Sequence, residues 1–195
     1  MNHAVVHLFF SCYPVRHMWI LTLILFVFLL SLAYASASGA PWVPTWKKDL
    51  ERILKLVDVK DGETFVELGC GNGRVCRYVA ARSNAKVIGV ELSLLQFCIA
   101  WLQAKASGLK NIEIRFGNAF HYDLKDVDVL YMFLMPETYE KIRPKLESEL
   151  SGGAGSGSAG KPGSRVVTYV WPIAGWEPTK IDEVEGSQKI YLYQR

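Results

Sequence analysis

Glu67, Gly69, Gly71, Gly73 and Glu91 are the residues of this chain whose types and spacing could build a chemical site. The first four stand in Phe65-Val66-Glu67-Leu68-Gly69-Cys70-Gly71-Asn72-Gly73-Arg74, an apolar strand pattern running into a glycine turn that opens a helix. Three alternate glycines let the backbone bend sharply and come close to a ligand. The amides at the start of the following helix attract a negative group. Glu67 narrows the choice of ligand, because a carboxylate two residues before the first glycine repels a pyrophosphate and suits an amine. That sets the turn apart from a nicotinamide-dinucleotide loop. The ligand implied carries an ammonium and a carboxylate together. Val87-Ile88-Gly89-Val90-Glu91 is a second apolar strand ending in an acid. It falls about 20 residues beyond the turn, where α/β nucleotide-binding units set a carboxylate against ribose hydroxyls. The plainer reading makes both acids solvated strand ends and leaves their joint spacing unexplained.

The elements that must position these residues follow from periodicity. Thr45 is placed to cap a helix over 46–57, with Leu50, Ile53, Leu54 and Val57 on one face. Strands are expected over 64–68, 86–90, 111–116, 127–134 and 165–170. Helices are expected over about 73–83, 94–107 (stopped by Gly108) and 137–150. The strand over 127–134 is apolar on both faces, as a central parallel strand requires. Two short strands, over 180–184 and 189–193, make a closing hairpin around Glu185-Gly186-Ser187. The pattern predicts an α/β fold with a doubly wound, mostly parallel sheet. Little room is left for a helix between the fifth and sixth strands. The Ser/Gly-rich stretch 151–163 is expected to be a mobile loop.

The chain has 195 residues, half of them hydrophobic, and a net charge of +3. That charge is too small to imply nucleic acid. The four cysteines, Cys12, Cys70, Cys76 and Cys98, fit no zinc spacing and read as reduced thiols. No metal site is expected. Residues 18–35 carry no charge and just reach the length of a bilayer span, ~17–20 residues. Ala35-Ser36-Ala37 also resembles a secretory cleavage site. Arg16 precedes the segment, while Lys47, Lys48, Arg52 and Lys55 follow it. That bias puts the carboxyl side in the cytoplasm and favours an uncleaved anchor. The expected organisation is an amino-terminal segment, 1–40, with a transmembrane helix over about 18–36, and a domain over 41–195. That domain is expected to bind its ligand without the segment and to be a monomer.

Glu67-Leu68-Gly69-Cys70-Gly71-Asn72-Gly73 resembles the first motif of class I S-adenosylmethionine-dependent methyltransferases, Glu91 their ribose acid, and Gly117-Asn118-Ala119 their adenine contact. More narrowly, the chain resembles the membrane-anchored protein-lysine methyltransferases of ATP synthase subunit c and the adenine nucleotide translocase, and their prokaryotic relatives. The shared pieces are an apolar amino-terminal segment, Pro41-Trp42-Val43-Pro44-Thr45, the glycine motif, Gly89-Val90-Glu91-Leu92, Pro136, and Trp171-Pro172-Ile173-Ala174-Gly175-Trp176-Glu177-Pro178. Asn72 stands where the narrower family usually has Asp, and Ser93-Leu94 replaces a common Asn-Pro.

The resemblance implies S-adenosylmethionine as cofactor, held by Thr45, Glu67, Gly69, Gly71, Gly73, Glu91 and Asn118. It implies methyl transfer to a lysine of a membrane-associated protein. The cofactor is an intracellular metabolite, which also argues for a domain kept inside. A lysine acceptor must be neutral, so an apolar pocket has to lower its ordinary value of ~10.4. Tyr131, Phe133, Trp171 and Trp176 are either walls of that pocket, holding the ammonium by cation–π contact, or core. Glu137 either orients the amine or is an acid at a helix start. Glu137 and Trp171 are the catalytic candidates. His121 and Asp123 read as surface. Leu134-Met135-Pro136-Glu137 lacks the Asn/Asp-Pro-Pro-Tyr signature of enzymes that methylate base amino groups. The rival readings are a methyltransferase for a quinone or lipid and a non-catalytic cofactor-binding protein.

Overall fold

The computed structural model describes residues 13–38, 43–150 and 163–195. A seven-stranded sheet runs in the order β3-β2-β1-β4-β5-β7-β6. Its strands are β1 (Thr64–Leu68), β2 (Lys86–Glu91), β3 (Ile112–Phe116), β4 (Val129–Met132), β5 (Arg165–Tyr169), β6 (Lys180–Asp182) and β7 (Ile190–Gln194). The first five are parallel. The hairpin expected at the carboxyl end forms, with β7 antiparallel to both β5 and β6. The chain winds outward from β1 to β3, then returns to place β4 against β1. That reversal opens a crevice beyond the carboxyl ends of the strands, where open α/β sheets bind ligands.

The helices are α1 (Tyr13–Ser38), α2 (Leu50–Val57), α3 (Arg74–Ala80), α4 (Leu94–Ala106) and α5 (Pro136–Leu150). Alternate residues of each central strand feed opposite layers of the core. Phe65, Val87, Val129 and Val167 pack with α2, α3 and α4. Val66, Ile88, Leu130 and Val166 pack with α5 and with Trp176 and Tyr193. Pro136 opens α5, where a missing N–H costs nothing.

Two elements differ most from expectation. The helix over 46–57 splits into a 3₁₀ turn, Lys47–Asp49, followed by α2. Thr45 caps neither, because its hydroxyl turns inward to the Tyr131 hydroxyl at 3.3 Å. Asp49, fully buried at the start of α2, takes hydrogen bonds from Arg52 (2.9 Å) and Tyr169 (2.6 Å) instead. β4 is half the expected length. Phe133 and Leu134 leave the ladder, and the Tyr139 hydroxyl fixes that departure by accepting from Leu134 N and donating to Met132 O. Between β5 and β6 there is no helix, as expected; Ile173 and Trp176 close the core there. The Ser/Gly-rich loop lies, except for Gly163, outside the described residues, as does Cys12.

α1 covers the apolar segment, and His17–Ala35 within it is long and apolar enough to cross a membrane. Its last turns touch the domain, where Ser31 Oγ accepts from the Leu94 amide at 2.7 Å.

Candidate active site

The carboxyl ends of β1, β2, β4 and β5 and the loop after β3 border a cleft of about 1090 Å³, its open mouth included. Of the sequence-predicted residues, Thr45, Glu67, Gly69, Gly71, Glu91, Asn118 and Trp171 line it. Gly73, expected there too, is not among the lining residues and opens α3 at φ 69°. Glu137 is not among the lining residues. It is exposed on the first turn of α5, a position that suits an acid completing the helix dipole, while Thr138 faces the cleft. Of the four aromatic candidates, Phe133 and Trp171 reach the cleft. Tyr131 is buried beneath it, and Trp176 belongs to the opposite layer, its indole N–H donating to Glu147 at 3.0 Å.

The glycine turn is required by its dihedrals. Gly69 has φ 75°, and a Cβ there would sit 2.9 Å from Leu134 Cδ2. The positive φ strains any other residue there, and a side chain would also displace the end of Leu134. Glu67 is 4% exposed, and its Oε2 accepts from the Cys76 amide at 3.1 Å and the Cys76 thiol at 2.9 Å. Burial pushes its pKa up to about 8, against those two bonds. A buried carboxyl in that state stays protonated at neutral pH until a cation arrives.

Glu91 has a structural duty that the sequence does not show. Its Oε2 accepts from Gly71 N and its Oε1 from Ser93 N, each at 2.7 Å. One carboxylate thus braces the glycine turn against the start of α4. Burial raises its pKa, opposed by these amide bonds. Asn118 closes an Asx turn, its Oδ1 accepting from Phe120 N at 2.9 Å. Arg74 donates to the Thr45 carbonyl at 2.6 Å, tying the lead-in over the turn.

Gln96 was not anticipated. It is 5% exposed on the inner side of α4 and lines the cleft, and its Oε1 is buried without a partner. Such an acceptor is free to take a donor from a ligand or a water in the cleft. Together with Glu67, Glu91 and the glycine turn, which line the same cleft, it fits a ligand carrying an ammonium, hydroxyls and an aromatic amine, as S-adenosylmethionine does.

The mouth of the cleft is aromatic. Phe133 and Trp171 stack with ring centroids 6.0 Å apart, and Tyr169 meets Phe133 edge-on at 4.9 Å. Val170 between them has φ 75°, a costly conformation for a β-branched residue, held by the Val170 amide's bond to Lys189 O and the Thr168 hydroxyl's bond to Trp171 O. This kink turns the chain out of β5 and brings Trp171 over the crevice. Leu32 and Ala35 of α1 complete the wall. The segment expected to be separable from the ligand site is therefore part of it.

The family described as the ANTKMT methyltransferase domain matches residues 67–180. A protein-lysine N-methyltransferase of Saccharolobus islandicus (strain REY15A) is 34% identical over 158 residues, covering 78% of this chain and 92% of that protein. A 24-methylenesterol C-methyltransferase of Arabidopsis thaliana is 31% identical over 122 residues, 62% of this chain and 32% of that enzyme. An RNA methyltransferase from Salinibacter ruber, solved with S-adenosyl-L-homocysteine, has a TM-score of 0.70 and 29% identity over 78% of this chain and 93% of its own. With the cleft, these likenesses define a class I S-adenosylmethionine-dependent methyltransferase. The chain belongs to the ANTKMT methyltransferase domain family.

Proposed function

We propose that this methyltransferase modifies a lysine side chain of a membrane-associated protein, with α1 as an uncleaved anchor and the domain on the cytoplasmic side or its internal equivalent. The observation that carries the reading is a single cleft joining the glycine turn, the aromatic pair Phe133–Trp171 and the end of α1. The protein-lysine methyltransferase relative supports the acceptor class. The cofactor supplies an electrophilic methyl group on a sulfonium, which an amine lone pair displaces in line. The products are methyl-lysine and S-adenosylhomocysteine, and the amine's proton goes to water.

In this reading Glu67 faces the cofactor's ammonium, Glu91 its ribose, and Asn118 and Gln96 its adenine side. The chain's remaining task is to align the amine and exclude water. The mouth residues Val43, Phe133 and Trp171 carry no ionisable group. They disfavour the ammonium by desolvation and favour the neutral nucleophile. Trp171 also offers its ring face to a methylated ammonium.

Incubating the full chain with labelled cofactor and membrane extract, then hydrolysing the labelled band, tests the proposal. Methyl-lysine in a small membrane protein is expected. Label in lipid or quinone alone would favour the second reading, which the sterol methyltransferase relative supports. The Salinibacter enzyme is described as acting on RNA. Against a base amino group as acceptor here stands Leu134-Met135-Pro136-Glu137, without the polar strand end such chemistry uses.

A further inference from the structure

α4 is mostly apolar, its polar residues being Gln96, Gln103 and Lys105. From Leu94 to Ala104 it carries no charge. Gln96, Ala100 and Ala104 form its buried side, small enough to bring the helix close onto the sheet. The opposite side presents Leu95, Cys98 and Ile99, half-buried, and Leu102, 59% exposed, flanked by Trp101 at 43%. A helix with apolar residues on the side away from its sheet needs cover on that side too.

Among the described residues, α1 supplies part of that cover. Its half-buried side chains are Phe28, Ser31, Leu32 and Ala35, whose spacing makes one stripe. The rest of the apolar span stands free of the domain. Phe28 to Ala35 is two turns, ~10 Å at ~1.5 Å per residue. The domain therefore reaches ~10 Å up the stretch that would cross a bilayer. An interfacial helix sinks ~5–10 Å into the boundary between headgroups and acyl chains. At the far end of α4, Lys105 Nζ lies 5.8 Å from the Trp101 ring centroid, and Lys110 follows. Tryptophan beside a snorkelling lysine suits a membrane–water boundary.

We propose that the outer face of α4, Leu95, Cys98, Leu102 and Trp101, rests in the headgroup–acyl boundary of the bilayer, on the side where α1 leaves it. The inference rests on the reading of α1 as an anchor and adds a second, non-covalent membrane contact. The occupant is lipid because the face is continuous with α1, which meets α4 at the Ser31–Leu94 bond. The cleft mouth then opens at the same depth, since Leu32, Ala35, Ser93 and Gln96 line it. An acceptor side chain would enter from the membrane surface, not from bulk water.

Nitroxide labels on the full chain test this, in a Cys12→Ser, Cys98→Ala background reconstituted into phosphatidylcholine–phosphatidylglycerol vesicles. Labels go at Leu102→Cys, at Ile24→Cys in the middle of α1, and at Glu185→Cys on the exposed turn before β7. Oxygen and a nickel chelate report lipid and water. The expected result is that labels at 24 and 102 are relaxed by oxygen and lose collision with nickel, while the label at 185 collides with nickel. Lipid at 24 with water at 102 overturns this inference and leaves the anchor intact. Water at both overturns the anchor reading and this inference with it. Spin–spin broadening between copies at 102 means a second copy covers the face, and also overturns it. Leu102→Glu, outside the cleft, is expected to keep S-adenosylhomocysteine affinity while losing methylation of a bilayer-embedded acceptor. Full methylation by that variant counts against the seat.

Discussion

At the scale of single residues, Glu67 shows how a buried acid can report its own ligand. Its folded pKa of about 8 lies above the free value of 4.5 because of burial. The folded, ligand-free protein therefore holds a proton that the unfolded chain releases from about pH 4.5 upward. Stability must fall as pH rises from there through 8, by ~1.4 kcal/mol per unit at most. Glu67→Gln should flatten that dependence in chemical denaturation followed across pH. A cationic ammonium against Glu67 would expel the proton, so binding of S-adenosylhomocysteine at pH 7 should release up to one proton. Calorimetry in two buffers of different ionisation enthalpy would show this, and Glu67→Gln should abolish the difference; equal heats for the wild type would deny Glu67 that contact. Trp171→Ala should slow methyl transfer roughly tenfold, a cation–π and alignment loss of ~1–2 kcal/mol, while leaving cofactor affinity within about twofold. An equal loss in both would move Trp171 into the cofactor site. The acids and glycines were legible because their signal is local. Gln96 was not, since its single hint is a polar residue sharing a helical face with Ala100 and Ala104. Trp171 and Trp176 sit in one motif, and only the fold sends one to the cleft and the other to the core.

At the scale of elements, strand existence was easier to read than strand ends. β4 reads as continuous over 127–134 because Val127, Val129, Leu130, Met132 and Leu134 are apolar on both faces. The ladder stops at Met132 through the hydroxyl of Tyr139, a residue on the next helix that no local pattern couples to the strand. Thr45 misled for the same reason: capping rules apply to the nearest helix, and its hydroxyl is taken by Tyr131 in the sheet. What holds the lead-in is Asp49, joined to Tyr169 of β5, with Arg52 reaching Asp49 and Asp182 of β6. Burial would raise the Asp49 pKa, but the Tyr169 and Arg52 bonds outweigh it and hold the carboxyl below its usual value. Tyr169→Phe leaves that buried carboxylate one donor short and should cost about 1–3 kcal/mol, seen as a lower denaturation midpoint. Because an acid with a lowered pKa stabilises above its free value and loses the contribution as pH falls through the folded one, the variant should also show a shallower acid limb. An unchanged midpoint would mean that water replaces the phenol without loss.

At the scale of the whole molecule, the structure changes what the amino-terminal segment is for. A plain tether would raise the local concentration of a membrane acceptor and leave cofactor binding alone. Here Ser31 bonds the first amide of α4, and Leu32 and Ala35 wall the cleft. The same helix start carries Ser93, whose amide Glu91 accepts, and Gln96, whose carbonyl oxygen awaits a partner. Removing residues 1–38 should therefore weaken S-adenosylhomocysteine binding by ~1–2 kcal/mol, roughly tenfold, besides ending methylation of membrane protein. A chimera separates the two effects. Replacing residues 13–30 with an unrelated apolar helix of equal length, while keeping 31–38, should restore both affinity and membrane methylation, because the wall and the tether are each present. Appending a lipid anchor to the truncated chain should restore location without restoring affinity. If the truncated chain binds S-adenosylhomocysteine as tightly as the full chain, the segment is a tether only, and the cleft must close without Leu32 and Ala35.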